Sequence, residues 1–342
     1  MKLVLYIFTI LVVPLAFFLF FGKEDISFLK NKKVEAVKGT ENESGKALGS
    51  EKLSVEGLSS ESNPVISFQP VKKEGISDLS VPDAHSSIIL DVDSGTILQY
   101  QNGREKRQIA SLTKLMTAVV VLENVKDLKE EATIDGEAVF CEGTKVGCPR
   151  SGYCVSNRLK VGEKMSAENL LKAMLMNSAN DAAIALAKHI GGSEKNFVEL
   201  MNKKAYELGL RDSNFCTASG LEIDGKEKEC YSSAYDIARI AAYSMKYDLI
   251  WEIMRLPNNT IISSSDGKYS HEIINTDIIM EQIPGRLGGK TGFTPLAGHS
   301  LLMAAADPSG KHKIISVVLD DPYRWQDIKT MINWAFEAYE WR

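Results

Sequence analysis

Residues 108–118 read QIASLTKLMTA. Ile109, Ala110, Leu112, Leu115, Met116 and Ala118 make the stretch apolar, and a lysine in such surroundings is expensive to bury as a cation. Ser111 stands three residues before Lys114, a spacing that puts both side chains on one face of a helix. Near a helix N-terminus Ser111 would also meet unpaired backbone N–H groups that favour a developing anion. A serine is unreactive until something removes its proton. A lysine can do that only when desolvation or a neighbouring cation keeps it neutral, and an apolar helix supplies the first of these. A second Ser-x-x-Lys, Ser265-Asp266-Gly267-Lys268, lies in a polar, turn-like stretch and reads as a solvated loop. Context, not the pair alone, separates chemistry from accident.

Working outward, two β-rich runs flank Asp93-Ser94-Gly95, and two more flank Asp307-Pro308-Ser309-Gly310; both patterns predict hairpins. Between them, residues 110–124, 166–188, 194–208 and 233–246 carry helix-period apolar positions. Ile328, Met331, Ile332, Ala335 and Tyr339 predict a closing helix. Strands at both ends with helices between indicate one mixed α/β body with a helical insertion. The 166–188 pattern is interrupted by Asn177-Ser178-Ala179-Asn180-Asp181. That break is either a helix end with an N-cap or a Ser-x-Asn turn aiming a hydroxyl and an amide into a cleft. Further on, GRLGGKTGFTPLAGHSLL carries Lys290-Thr291-Gly292 into a β-rich run, where a glycine marks the close approach of another backbone.

The chain has 342 residues, 44% hydrophobic and 25% charged, with a formal net charge of −5. This is globular composition with material for a large core, and the scattered lysines offer no footprint for nucleic acid. From Leu3 to Phe21 the sequence is apolar apart from Thr9, about the ~20 residues that cross a bilayer. No small-residue cleavage site follows, so residues 1–22 are expected to be an uncleaved transmembrane signal anchor rather than a removed signal peptide. Residues 23–82, rich in Ser, Glu, Lys, Gly and Asn, read as a flexible linker, leaving 83–342 as the folded domain. Lys23, Lys30, Lys32 and Lys33 after the span argue for a cytoplasmic body. The five cysteines argue for export. Cys141, Cys148 and Cys154 cluster without zinc-ligand spacing, two of them are expected to pair, and Cys216 and Cys230 flank a loop that a bridge could close.

Taken together and in order, Ser111-x-x-Lys114, Ser178-x-Asn180 and Lys290-Thr291-Gly292, at intervals of 67 and 112 residues, form the motif set of penicillin-binding proteins and class A β-lactamases. With ASLTKLMTA, NSANDAAIALA, GKTGFTPLAGHSLL and the upstream LDVDSGTIL hairpin, residues 83–342 resemble the low-molecular-weight penicillin-binding proteins, the serine-type D-alanyl-D-alanine carboxypeptidases. That resemblance implies an antiparallel sheet covered by helices, a helical subdomain beside it, and a site between them. It implies Ser111 as nucleophile, Lys114 as its base, Ser178 as a proton relay and Asn180 as holder of the substrate amide. Lys290 and Thr291 would bind the terminal carboxylate, Gly292 would belong to the same strand segment, and the backbone N–H groups of Ser111 and Phe293 would form the oxyanion hole. No metal or organic cofactor is implied. The implied partners are peptidoglycan stem peptides ending in D-Ala-D-Ala, β-lactam antibiotics and, through residues 1–22, the cell membrane, with the catalytic body outside it.

The sequence departs from the family at Gly289, where a branched apolar residue is usual, and in the cysteine-bearing FCEGTKVGCPRSGYC, which reads as an insertion near the cleft. Many members also carry a C-terminal β-domain and anchor; here the N-terminal span is expected to do the anchoring. Alternatives are a β-lactamase, for which Glu222 is the candidate water-activating base, and a penicillin-binding sensor or scaffold without turnover. A conventional serine hydrolase is poorly supported, since no G-x-S-x-G elbow occurs.

Overall fold

The computed structural model describes residues 68–150 and 152–342. In chain order these begin with β1 (Pro70–Lys72), β2 (Ser86–Asp91), β3 (Ile97–Gln101), α1 (Lys114–Asn124), β4 (Glu131–Thr133), α2 (Gly136–Phe140) and β5 (Lys164–Ser166). A helical series follows: α3 (Ala167–Met176), α4 (Asn180–Gly191), α5 (Glu194–Glu207), α6 (Ala234–Ser244) and α7 (Asp248–Met254). The chain closes with β6 (Thr260–Ser263), β7 (Ser270–Ile273), β8 (Arg286–Thr294), β9 (Gly298–Ala306), β10 (Lys313–Leu319), α8 (Arg324–Ala338) and β11 (Tyr339–Trp341).

Strands β3-β2-β10-β9-β8 form one antiparallel sheet in that order. Its central strands read as unbroken apolar runs because both faces are covered. Along β10, Ile315, Val317 and Leu319 pack with α1 and the helical series, whereas Ile314 and Val318 pack with Ile328, Met331, Ile332 and Ala335 of α8. α1 is buried from Lys114 to Val121, and its apolar character on all sides fits a helix surrounded by other elements. Ser166, Ser193 and Ser233 cap α3, α5 and α6, each side-chain oxygen accepting an N–H three residues on.

Both expected hairpins are present, β2–β3 and β9–β10. The interruption expected within the 166–188 run is present: α3 and α4 are separate helices, parted at Asn177-Ser178-Ala179. The linker expected over 23–82 ends earlier than that. Pro70–Lys72 pairs with Tyr339–Trp341, and Val81 is buried against the α8 side of the sheet. A three-residue strand whose partner lies at the far end of the chain leaves no periodicity for local reading to detect. Residues 1–67, including the expected span at 1–22, lie outside the described residues, and among the described residues no helix is long and apolar enough to cross a membrane.

Candidate active site

Ser111 lies in a 3-10 turn, Ala110–Thr113, that leads directly into α1, so it sits one turn ahead of the α-helix instead of within it. The turn is under backbone constraint. Ala110 has φ +47°, a region that costs a non-glycine residue about 1–2 kcal/mol, and its carbonyl rests against Gly220, where a Cβ would come within 2.0 Å of that oxygen. On the other side the turn abuts β8: a Cβ on Gly292 would lie 2.9 Å from the Ile109 carbonyl. Glycine at 292 thus lets the Lys-Thr-Gly strand lie close against the serine turn.

Lys114 is fully buried. Its Nζ lies 2.8 Å from Ser111 Oγ, 2.7 Å from Asn180 Oδ1 and 2.6 Å from the Ser219 carbonyl. Burial holds the amine well below its usual pKa, and the nearby Lys290 pushes it further down. A neutral amine has two N–H donors and one lone pair. The amide and carbonyl oxygens can only accept, so in the neutral amine they would take both donors and leave the lone pair for the Ser111 hydroxyl. A group so arranged can take the proton of Ser111.

Ser178 occupies the break between α3 and α4 with φ +55°, and Asn180 opens α4. Both are held from behind by the segment after α2. Thr144 Oγ1 donates to the Ser178 carbonyl at 2.5 Å, Asn180 N donates to the Thr144 carbonyl at 2.8 Å, and Asn180 Nδ2 donates to the Glu142 carbonyl at 2.9 Å. The second N–H of that amide is left for a ligand. From β8, Lys290 Nζ donates to Ser178 Oγ at 2.8 Å and to the Thr291 carbonyl at 2.9 Å. Burial pushes Lys290 down to about 7, with Arg324 adding to the effect and Asp277 opposing it. Thr291 Oγ1 lies 2.8 Å from Thr276 Oγ1. Phe293 is exposed and stacks on His299, ring centroids 4.4 Å apart. All eight residues singled out in the sequence therefore lie on three segments that meet between sheet and helices.

Local reading passed over several neighbours. Arg324 Nη1, at the start of α8, donates to the Gly292 and Ser300 carbonyls at 2.8 and 3.0 Å, bracing the Lys-Thr-Gly strand from behind. Ser219 contributes only a carbonyl, which no side-chain pattern could reveal. Asp277 fills the space beside Gly289, where a Cβ would lie 2.6 Å from its Oδ2, which accounts for the absent branched residue. Glu222 accepts a hydrogen bond from Thr294 Oγ1 and so ties its loop to the end of β8. Cys148–Cys154 and Cys216–Cys230 are bridged and Cys141 is free. Ser265 to Lys268 form the turn between β6 and β7, with Lys268 paired to Asp266. Among the described residues no group of His, Cys, Asp and Glu could hold a metal ion.

An antiparallel sheet with a helical body, and these three motifs converging between them, define the penicillin-binding protein class. More narrowly, the chain belongs to the D-alanyl-D-alanine carboxypeptidase family, whose pattern it matches over residues 75–323. It is 31% identical over 272 residues to the D-alanyl-D-alanine carboxypeptidase DacF of Bacillus subtilis (strain 168), covering 75% of this chain and 63% of that one. It is also 31% identical over 303 residues to DacC of Escherichia coli (strain K12), covering 84% and 70%. The chain thus spans 63% to 70% of the length of these curated relatives. The crystal structure of the D-alanyl-D-alanine carboxypeptidase from Mycobacterium tuberculosis H37Rv has a TM-score of 0.67 at 28% identity, covering 78% of this chain and 96% of that one. Penicillin-binding protein D2 of Listeria monocytogenes, solved in its ampicillin-bound form, has a TM-score of 0.63 at 28% identity, covering 76% and 100%.

Proposed function

We propose that this protein is a serine-type D-alanyl-D-alanine carboxypeptidase that removes the terminal D-alanine of peptidoglycan stem peptides and is acylated by penicillin. The observation that carries this reading is a buried amine, whose pKa desolvation holds well below the usual lysine value, 2.8 Å from Ser111 Oγ. Ser111 attacks the carbonyl between the two D-alanines while Lys114 takes its proton. Charge develops on the carbonyl oxygen, for which the backbone N–H groups of Ser111 and Phe293 are the proposed donors. The proton returns to the departing amine through Ser178, and D-alanine leaves. Water then hydrolyses the ester on Ser111. Lys290 and Thr291 hold the terminal carboxylate, which gives an acidic protein a reason to keep a buried cation there. Asn180 offers its remaining N–H to the substrate's amide backbone, and Gly292 keeps the strand close enough for both. The family, and the ampicillin bound by the Listeria relative, support the same assignment.

The test is an assay of the purified folded body on a peptide ending in D-Ala-D-Ala, beside labelling with fluorescent penicillin. Ser111→Ala is expected to abolish both while changing the melting temperature by no more than a few degrees; an active, folded variant would overturn the assignment. Because Glu222 is tied to Thr294, it is read as structural, and the penicillin adduct is expected to persist equally in Glu222→Gln. Rapid penicillin turnover that this substitution traps would favour a β-lactamase instead. A penicillin label without any D-alanine release would favour a sensor.

The N-terminal residues 1–22 are proposed to anchor the chain in the cytoplasmic membrane with the body outside. An exported site for wall chemistry and two bridged cysteine pairs support that side. A phosphatase reporter fused after Arg342 is expected to be active, since it needs an oxidising compartment; a reporter active only in the cytoplasm would reverse the orientation.

A further inference from the structure

The cysteine-bearing loop, whose Glu142 and Thr144 hold Asn180 and Ser178, also borders an open hollow of about 200 Å³. Lys145, Arg150 and Arg158 line it, together with the Cys148–Cys154 bridge and Gly143, and no carboxylate does. None of these three cations has an ion-pair partner among the described residues. In a chain whose acidic residues outnumber its lysines and arginines, 45 to 40, three positive groups gathered around one hollow repel one another, with the buried Asp181 of α4 acting on Lys145 but forming no ion pair with it, and an anion removes that cost.

The hollow is built rather than incidental. Lys145 and Cys148 exchange backbone hydrogen bonds at 3.0 and 2.8 Å, and Val155 N donates to the Gly147 carbonyl at 2.8 Å. The bridge closes the loop. Its far end is fixed to β7, where Ser156 Oγ exchanges hydrogen bonds with the Glu272 backbone and His271 Nδ1 donates to the Asn157 carbonyl at 2.7 Å. Its near end touches the active site: Asn177 Nδ2 donates to the Lys145 carbonyl at 2.7 Å, and a Cβ on Gly143 would lie 2.6 Å from Asn180 Nδ2. The hollow therefore adjoins the amide proposed above to hold the substrate backbone.

We infer that Lys145, Arg150 and Arg158 form an anion subsite for a free carboxylate carried by the substrate peptide upstream of its D-Ala-D-Ala end. This rests on the carboxypeptidase reading, because it is Asn180's hold on the peptide that brings upstream residues past the loop. Two guanidinium forks match a carboxylate in bidentate geometry, and a lysine adds a point charge. The bridge and the loop's hydrogen bonds order these groups in advance, so binding need not pay for arranging the backbone that bears them.

The test uses two synthetic pentapeptides ending in D-Ala-D-Ala that differ only in one upstream carboxylate, free in the first and a carboxamide in the second. D-alanine release is measured for both, and the binding of both to the Ser111→Ala protein is measured by calorimetry. The free carboxylate is expected to raise kcat/KM and affinity roughly tenfold, the scale of a charge-assisted pair, with the preference shrinking as salt is raised. In Arg150→Gln/Arg158→Gln the ratio between the two peptides is expected to fall to about one. Because the ratio is taken within one preparation, partial misfolding does not mimic this result, and Arg150→Lys/Arg158→Lys should retain part of it. Equal use of both peptides by the wild type, or a ratio untouched by removing both arginines, overturns the subsite while leaving the carboxypeptidase reading standing. Preferential binding of the carboxylate peptide to Ser111→Ala, without turnover of either peptide by the wild type, overturns that reading and leaves the subsite. Inorganic phosphate that inhibits use of both peptides equally in the wild type, but not in Arg150→Gln/Arg158→Gln, would assign the hollow to a free anion and overturn the substrate link.

Discussion

Two lysines carry the site, and burial acts on both in the same direction with different consequences. In the proposed mechanism Lys114 must be neutral to take a proton, and desolvation together with Lys290 lowers its pKa well below the usual lysine value. In its proposed role Lys290 must be charged to hold a carboxylate, yet in the free protein burial brings it down to about 7. As pH falls through the lowered pKa of Lys114 the base is protonated and acylation slows. As pH rises through about 7, Lys290 loses its charge and grip on the carboxylate weakens. The dependence of kcat/KM on pH is therefore expected to be bell-shaped with its alkaline limb near neutrality, because kcat/KM reports the free enzyme. Lys290→Arg places a side chain that stays charged, so its alkaline limb should move upward even if the rate is lower. Stopped-flow measurement of penicillin acylation across pH checks this, and an alkaline limb unmoved in the variant would remove Lys290 from the role. At this scale the candidate residues were legible through the ordered set of three motifs that holds Ser111, Lys114, Ser178 and Lys290, since no single motif decided on its own between chemistry and accident. Ser219 and Arg324 were not, since one acts through its carbonyl and the other reaches the site from behind.

At the level of elements, the serine turn is clamped from two sides, by Gly220 and by Gly292 of β8. Gly220 has φ +79° and no room for a Cβ against the Ala110 carbonyl, so Gly220→Ala meets both backbone strain and a clash with backbone that cannot rotate away. A cost of at least ~1–2 kcal/mol is expected from the conformation alone, which in a domain of this size corresponds to roughly 2–8 °C in melting temperature. Displacing the turn also moves Ser111, and a shift near 1 Å costs on the order of a hundredfold in rate. Calorimetry and the penicillin acylation rate read the two effects separately; an unchanged acylation rate would mean that the turn is set by β8 alone. The helices were legible where apolar period and cap agree, as at Ser233 before α6. The break between α3 and α4 was legible too, because the polar Asn177-Ser178-Ala179-Asn180-Asp181 interrupts the apolar period across 166–188. The strand β1 was invisible, because it is three residues long and takes its partner from the C-terminus.

For the whole molecule, the same burial that builds the site makes stability depend on pH. Asp181 lies inside, accepting from Val146 N at 3.0 Å and Ala182 N at 2.9 Å, and desolvation nevertheless raises it to about 7. Its folded pKa exceeds the unfolded value of about 3.9, so the folded state binds more protons between the two. The stability it contributes is present below about pH 4 and is lost as pH rises through about 7. Asparagine keeps an acceptor for Val146 N without the charge. The melting temperature of Asp181→Asn relative to wild type is therefore expected to rise between pH 5 and 7, by roughly 4–8 °C for a difference of ~2 kcal/mol. A difference that stays flat across that range would show that Asp181 titrates as an ordinary exposed acid. The sequence by itself determined the three motifs that carry the family resemblance, the two hairpins and most of the helices, because motif order, apolar period and turn residues are read along the chain. Only the tertiary structure decided that α1 is enclosed on all sides and that β1 closes against β11. It alone lowers the pKa of Lys114 through burial and Lys290, and it alone gathers Lys145, Arg150 and Arg158 around one hollow whose Gly143 adjoins Asn180. Each of these depends on distances between residues far apart in the chain, and on the loss of water between them, which no local pattern encodes.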